Sequence, residues 1–320
     1  MTQRPPPAEG VRLEWHAVPA PVRAAVERAL GSAVVAAATQ PTGFSPGVAA
    51  RLQLEDGRRV FAKAVGPAPN PDAPGFHRRE ARVVSALPPE APVPRLLAVH
   101  DDAGTGWVVL AFEEIAGQHP AQPWRPDELE RVLGALADML TPSPLHPGAV
   151  ATASERLAHD LCGWRLLRDE GPERASGLDD WSRRHLEALV ALEAQAVAAA
   201  AGDTLLHFDV RADNLLLTPE RVWFLDWPHA CTGAAWVDAV FFAPSVHMQG
   251  GPPPEDVIAR HPAARAAEPD AVTAVVAAVA GFFTHRALQP APPGLPTLRA
   301  FQAAQGAVAR DWLARRTGWA

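Results

Sequence analysis

Apolar and polar residues alternate through Arg59-Val60-Phe61-Ala62-Lys63-Ala64-Val65, the pattern of a strand with two different faces. The same reading predicts strands over Ala33–Gln40 and Val48–Leu54, with Asp56-Gly57 as the hairpin turn between Val48–Leu54 and Arg59–Val65. A helix over Val22–Leu30, ended by Gly31, precedes them, and a second over Gly75–Leu87 is closed off by Pro88-Pro89. Leu96–His100 and Gly106–Phe112 make a further strand pair around Asp101-Asp102-Ala103-Gly104. From Pro126 onward the pattern is helical: Asp127–Leu140, Ala153–Arg168, Trp181–Ala200 and several segments after 253. One short strand pair, Leu215–Thr218 with Val222–Leu225, interrupts it. The expected class is therefore α+β. A small antiparallel-sheet lobe with one inserted helix spans 1–112, a connector follows over 113–125, and a larger mainly helical lobe spans 126–320. The prolines at 141–147, 252–254 and 290–296 read as connectors.

Composition narrows the class. With 48% hydrophobic and 20% charged residues the chain reads as a soluble globular protein. No charged segment followed by an apolar stretch opens it, and the longest apolar run, Ala271 to Phe283, is too short to span a bilayer. Cys162 and Cys231 have neither metal nor redox spacing. The expectation is a cytoplasmic enzyme or binding protein. Net charge is +2 over residues 1–112, −10 over 113–230 and +1 over 231–320. No basic stripe dominates any segment, which argues against a nucleic-acid partner. The acidic middle either attracts a cationic small molecule or consists of solvated helix faces.

Lys63 is the only lysine, against 28 arginines. A site that needs a slender ammonium, where a planar guanidinium will not serve, accounts for it; drift under a base-composition bias is the alternative. Asparagine is nearly as scarce, occurring only at Asn70 and Asn214. One of the two completes His207-Phe208-Asp209-Val210-Arg211-Ala212-Asp213-Asn214, an H-x-D-x4-N motif followed by Asp226-Trp227. That set suits phosphoryl transfer, which is mostly positioning and charge neutralisation. In this reading Asp209 faces an acceptor hydroxyl as base, while Asn214 and Asp226 hold Mg²⁺ on nucleotide phosphates. The alternative is that Asp209 and Asn214 cap and brace a loop.

These motifs resemble the aminoglycoside phosphotransferase family of small-molecule kinases, which share the bilobal protein-kinase fold. The resemblance implies ATP and Mg²⁺ as cofactors. Lys63 matches the strand lysine of that family, and Glu80 in Arg78-Arg79-Glu80-Ala81 the helix glutamate that pairs with it. Thr42-Gly43-Phe44-Ser45-Pro46-Gly47 matches the nucleotide-covering loop, so Gly43, Ser45 and Gly47 are expected to let backbone N–H groups approach phosphate. The loop departs from G-x-G-x-x-G. Leu110-Ala111-Phe112-Glu113-Glu114-Ile115 matches the hinge, with the Glu113 carbonyl and the Ile115 N–H on the adenine edge. Asp238 resembles the buried aspartate that braces the catalytic loop, or is an exposed helix carboxylate. Arg211 stands where protein kinases place a lysine near the transferring phosphate, or forms a local pair with Asp213.

Gly43-Phe44-Ser45-Pro46-Gly47 also spells the G-x-S-x-G elbow of serine hydrolases, whose oxyanion hole uses the N–H after the serine. Pro46 has none, so Ser45 is not such a nucleophile. Only 11 residues separate Asp226 from Asp238, too few for the peptide platform of a protein kinase. The expected acceptor is a small hydroxylated molecule, an antibiotic or a metabolite and not a protein. A catalytically inactive nucleotide-binding relative is the rival reading, disfavoured because every catalytic position is filled.

Overall fold

A computed structural model describes residues 7–68, 70–139, 141–171, 173 and 176–320. Helix α1 (Ala20–Leu30) ends at Gly31, whose φ of 74° is the left-handed turn that glycine favours at a helix end. Five antiparallel strands follow: β1 (Val34–Thr39), β2 (Val48–Leu54), β3 (Arg59–Val65), β4 (Leu96–Asp101) and β5 (Val108–Glu113). Their order in the sheet is β1-β2-β3-β5-β4, with α2 (Ala73–Ala86) inserted between β3 and β4.

The two-residue period of the strands decides what enters the cleft. Val60, Ala62 and Ala64 of β3 join Val109 and Ala111 of β5 in a core closed by Val22, Val26 and Leu30 of α1. The intervening residues of β3 point the other way. There Lys63 lies between its ladder partners Ala49 and Leu110, and Phe61 pairs with Arg51 and Phe112. On α2, His77, Glu80, Ala81 and Val84 are buried at the i, i+3, i+4, i+7 spacing of one helix face, which brings Glu80 over the same sheet face as Lys63.

The helical part comprises α3 (Pro126–Ala137), α4 (Ala153–His159), α5 (Gly163–Asp169), α6 (Asp180–Arg184), α7 (Leu186–Ala199), α8 (Val237–Met248), α9 (Pro254–Arg260), α10 (Pro262–Ala266), α11 (Pro269–Ala287) and α12 (Leu298–Thr317). Three-residue strands β6 (Thr204–Leu206) and β9 (Cys231–Gly233) pair with each other, as do β7 (Leu215–Leu217) and β8 (Val222–Phe224). Among the described residues no helix is long and apolar enough to cross a membrane.

Several expectations are corrected. The helix expected over 153–168 is two helices, because Gly163 meets Gly281 of α11 backbone to backbone: a Cβ there would sit 2.0 Å from the Gly281 carbonyl oxygen. Glu193 of α7 caps the second piece, accepting the Trp164 and Arg165 N–H groups at 3.1 Å each. The helix expected over 181–200 breaks at His185, whose Nε2 bonds the Ala320 carbonyl at 2.8 Å. The β6–β9 pair was not expected. The end of the α3 segment expected at Leu140, and the chain's first residues, lie outside the described residues.

Candidate active site

The cleft between the sheet and the β7–β8 pair is walled by Ala49, Phe61 and Phe112 on one side and by Leu216 and Leu225 on the other. Lys63 crosses it. Its ammonium lies 2.6 Å from Glu80 Oε1 and contacts Asp226 Oδ1, with the Phe112 ring centroid 5.5 Å away. Burial disfavours the ammonium, but Asp226 and Glu80 outweigh that effect and its pKa is raised. Burial likewise pushes Asp226 up, yet the Lys63 charge dominates and holds the carboxyl down at about 2. Burial raises Glu80 against the pull of Lys63.

Asp209 sits where β6 runs into the loop before β7. Asp238, buried at the start of α8, accepts the His207 N–H at 2.7 Å and the Phe208 N–H at 2.8 Å. It therefore braces the loop, and the reading of it as an exposed helix carboxylate is set aside. His207 Nε2 donates to the Leu225 carbonyl at 2.7 Å, and its Nδ1 accepts the Asp209 N–H at 3.3 Å, which fixes a neutral tautomer. Burial lowers the pKa of His207, in keeping with that neutral ring. Phe208 and Asp226 are the two non-glycine residues with positive φ, 64° and 63°, among the described residues. Strain of this kind persists only where the surroundings enforce it; here Asp238 fixes one residue and Lys63 the other.

Both Asp209 oxygens are engaged. Arg211 contacts Oδ1, and Asn214 Nδ2 donates to Oδ2 at 3.2 Å and to the Asp209 carbonyl at 2.9 Å. Arg211 also bonds both Asp213 oxygens, at 3.1 and 3.0 Å, so the local pair with Asp213 is present and extends to Asp209. Burial opposes the guanidinium charge, but the two carboxylates prevail and raise its pKa.

At the hinge, the Glu113 side chain accepts the Arg95 N–H at 2.8 Å, and Glu114 takes Arg59 in a two-point pair at 3.0 and 2.7 Å. Glu113, Glu114 and Ile115 all line the cleft.

The loop over 42–47 departs from expectation. Gly43 and Gly47 have φ of 99° and 105°, but their N–H groups are already used, donating to the Ala8 carbonyl at 2.8 Å and the Val11 carbonyl at 3.1 Å. The loop turns carbonyls inward instead. Arg12 gathers them: its Nε donates to Gln40 O at 3.1 Å and its Nη2 to Gly43 O at 3.2 Å, with further contacts to Thr42 O and Ser45 O. Arg12 lines the cleft, and sequence reasoning missed it because nothing in the segment before α1 marks it. The Phe44 ring packs on Phe301 of α12 at 5.0 Å, tying the loop to the helical part.

Among the described residues no three His, Cys, Asp or Glu side chains converge as a metal cage. A magnesium ion would take hard oxygen donors; the Asp226 carboxylate is one such group and the Asn214 amide oxygen another, the Asn214 nitrogen being directed at Asp209.

Residues 42–277 match the sequence profile of the phosphotransferase enzyme family. The chain belongs to this family. No curated protein sequence is a significant match. The fold is similar to that of an aminoglycoside phosphotransferase from Alicyclobacillus acidocaldarius (TM-score 0.53, 17% identity, 89% of this chain and 92% of that one). It is also similar to a choline/ethanolamine kinase family protein from Mesorhizobium loti (TM-score 0.51, 19% identity, 82% and 84%). Spectinomycin phosphotransferase in complex with ADP and spectinomycin gives a TM-score of 0.57 at 10% identity, over 91% and 97%. At such identities the likeness establishes the kinase-like fold alone. The phosphotransferase assignment rests on the family.

Proposed function

We propose that this phosphotransferase moves the γ-phosphoryl group of ATP to a hydroxyl of a small molecule. The observation that carries the reading is the convergence of Lys63, Glu80 and Asp226, from a strand, a helix and a distant turn, beside the loop bearing Asp209 and Asn214. The nucleotide's base fits between the apolar walls of the cleft, with its edge on the Glu113–Ile115 backbone. Lys63, held by Glu80, and Arg12 supply positive charge where the phosphates would lie. Asn214 and Asp226 would hold Mg²⁺, which neutralises charge on the phosphate oxygens when bound.

Asp209 orients the acceptor hydroxyl and receives its proton as the oxygen attacks the γ-phosphorus. The bond from that phosphorus to the β–γ bridging oxygen breaks, and ADP leaves with the bond's electron pair. Arg211, bonded to Asp209 and Asp213, positions the base. That the solved relatives bind ADP with spectinomycin, or ADP with hygromycin B, supports a hydroxylated small-molecule acceptor here. Transfer of label from ATP to a panel of hydroxylated antibiotics and metabolites, with Asp209→Asn as control, tests the proposal. Label incorporated equally by both proteins overturns it.

A further inference from the structure

The acidic middle segment suggested a cationic acceptor, but the side chains gathered at the loop preceding Asp209 carry the opposite sign. Arg156 of α4 donates from Nη2 to His229 Nδ1 at 3.2 Å, and its guanidinium lies 5.8 Å from the Phe208 ring centroid. The His229 ring meets Phe76 of α2 edge-on at 5.3 Å, and Arg79 stacks over that same Phe76 at 4.5 Å. Two arginines, one from each side of the cleft, thus flank a single aromatic–imidazole pair. None of Phe76, Arg79, Arg156, Phe208 or His229 lines the hinge cleft, so the group lies outside the nucleotide's place.

Arg156 has an i,i+4 partner in Asp160 at 3.0 Å, on a half-exposed carboxylate. The Arg79 Nε is buried and has no hydrogen-bond partner among the described residues. Burial, with repulsion from Arg156 and Arg82, lowers the Arg79 pKa against the pull of Asp160 and Asp72. Asp209, whose charge acts on His229, is already bonded to Arg211 and Asn214. Burial lowers His229 to about 4, so it is a neutral ring that accepts from Arg156 and keeps Nε2–H to donate. A buried donor left unmade beside like charges marks a place for an acceptor anion.

We infer that Arg79, Arg156 and His229 form the anion-recognition half of the acceptor site, so that the molecule phosphorylated carries an oxyanion group, carboxylate or phosphate, as well as its reacting hydroxyl. The inference rests on the phosphotransferase reading of Asp209 and deepens it. Phe76 gives the acceptor's carbon skeleton an apolar surface, and the oxyanion spans the two guanidinium groups. A polycationic aminoglycoside fits such a site poorly.

Calorimetric titration of the whole chain, saturated with Mg²⁺ and a non-hydrolysable ATP analogue, tests this with two probes, glycerate and inorganic phosphate. The carboxylate and phosphate arms separate the two sources of an oxyanion. Saturable one-to-one binding of at least one probe at about 1–20 mM is expected. Arg79→Gln and Arg156→Gln should each weaken it about 10-fold or more while changing analogue affinity less than about 3-fold. Melting curves like that of the wild type would show that the variants are folded. No saturable probe binding, or equal loss of probe and nucleotide binding in the variants, overturns the inference. Probe binding by a chain that fails to bind nucleotide would instead overturn the kinase reading and leave the anion site standing.

Discussion

Lys63 and Asp226, 163 positions apart in the chain, are in direct contact, and that contact closes the cleft between the sheet and the helical part. Glu80 holds the same ammonium from the opposite side at 2.6 Å. The slot therefore admits a tetrahedral ammonium on a narrow stem between two carboxylates, one of them almost fully buried. A guanidinium is planar and wider and would displace Asp226 from its strained turn. Lys63→Arg should be nearly as damaging as Lys63→Ala despite keeping the charge. Loss of a charge-assisted contact to phosphate costs about 1.5–3 kcal/mol, or roughly 10–150-fold in turnover. Steady-state kinetics of both variants on one confirmed acceptor decide it. Activity in Lys63→Arg would reduce the lone lysine to codon drift.

This part of the site was legible because its signals are local. Alternation marks β3 as a two-faced strand carrying Lys63, and the H-x-D-x4-N spacing singles out Asp209 and Asn214. What escaped was decided by long-range contacts. Arg12 carries no motif, and its role appears only when the segment before α1 folds across the loop over 42–47. The break before Gly163 depends on a helix more than a hundred residues later. Helix α8 is buried nearly all round and contains Pro244, so it offered neither an amphipathic stripe nor an uninterrupted helical run. Strands β6 and β9 are short and lie apart in the chain, so no turn between them marks the pair, whereas β7 and β8 flank one at Pro219-Glu220.

Asp209→Asn should lower kcat by roughly 10²–10⁴ and leave nucleotide affinity within about 3-fold, because the base acts on the acceptor and not on ATP. Nucleotide binding by fluorescence alongside single-turnover transfer separates the two effects. Wild-type turnover in this variant would remove Asp209 from the mechanism.

Asp238 touches no substrate, yet two buried backbone N–H groups depend on it. Asp238→Ala strands both, and an unsatisfied buried donor costs about 1–3 kcal/mol. A fall in the unfolding free energy of about 2–5 kcal/mol is expected, with a loss of kcat as the Asp209 loop relaxes. Asp238→Asn, which keeps one acceptor oxygen, should fall between the two proteins in chemical denaturation. Full stability in the alanine variant would show that the loop holds itself.

Two buried histidines should each lose their stabilising effect in acid. Burial lowers both His77 and His229 from the usual 6.5 to about 4. Folding therefore favours their neutral rings. The stability they contribute is fully present above pH 6.5 and is lost as pH falls towards 4. Asp238 slopes the other way: burial raises it from 3.8 to about 6, so its contribution is present below 3.8 and is lost as pH rises through about 6. Glu193, which burial raises from 4.5 to about 7, slopes as Asp238 does, so the histidine share is read by difference: between pH 7.5 and 4.5 His77→Gln should lose less in melting temperature than the wild type. An unchanged slope in that variant would mean that His77 does not titrate with unfolding.

Arg12 offers the sharpest test of how the nucleotide loop works. Its guanidinium is the only group seen to bring the Gln40, Thr42, Gly43 and Ser45 carbonyls together among the described residues, and those dipoles repel one another without it. Burial lowers its pKa while Asp226 draws it up, which places its charge within reach of the carboxylate proposed to hold Mg²⁺. Arg12→Ala should free the loop and withdraw a positive charge from the phosphates together. The KM for ATP should rise about 10-fold or more, with a smaller fall in kcat, since Asp209 and Lys63 are untouched. Arg12→Lys keeps the charge but lacks the planar fork that reaches several carbonyls at once, so it should rescue little. Hydrogen exchange of the Gly43 and Gly47 amides, now bonded to Ala8 and Val11, gives an independent readout and should quicken in both variants. If Arg12→Lys restores the KM while exchange stays fast, charge alone is what the nucleotide requires, and the fork only shapes the loop.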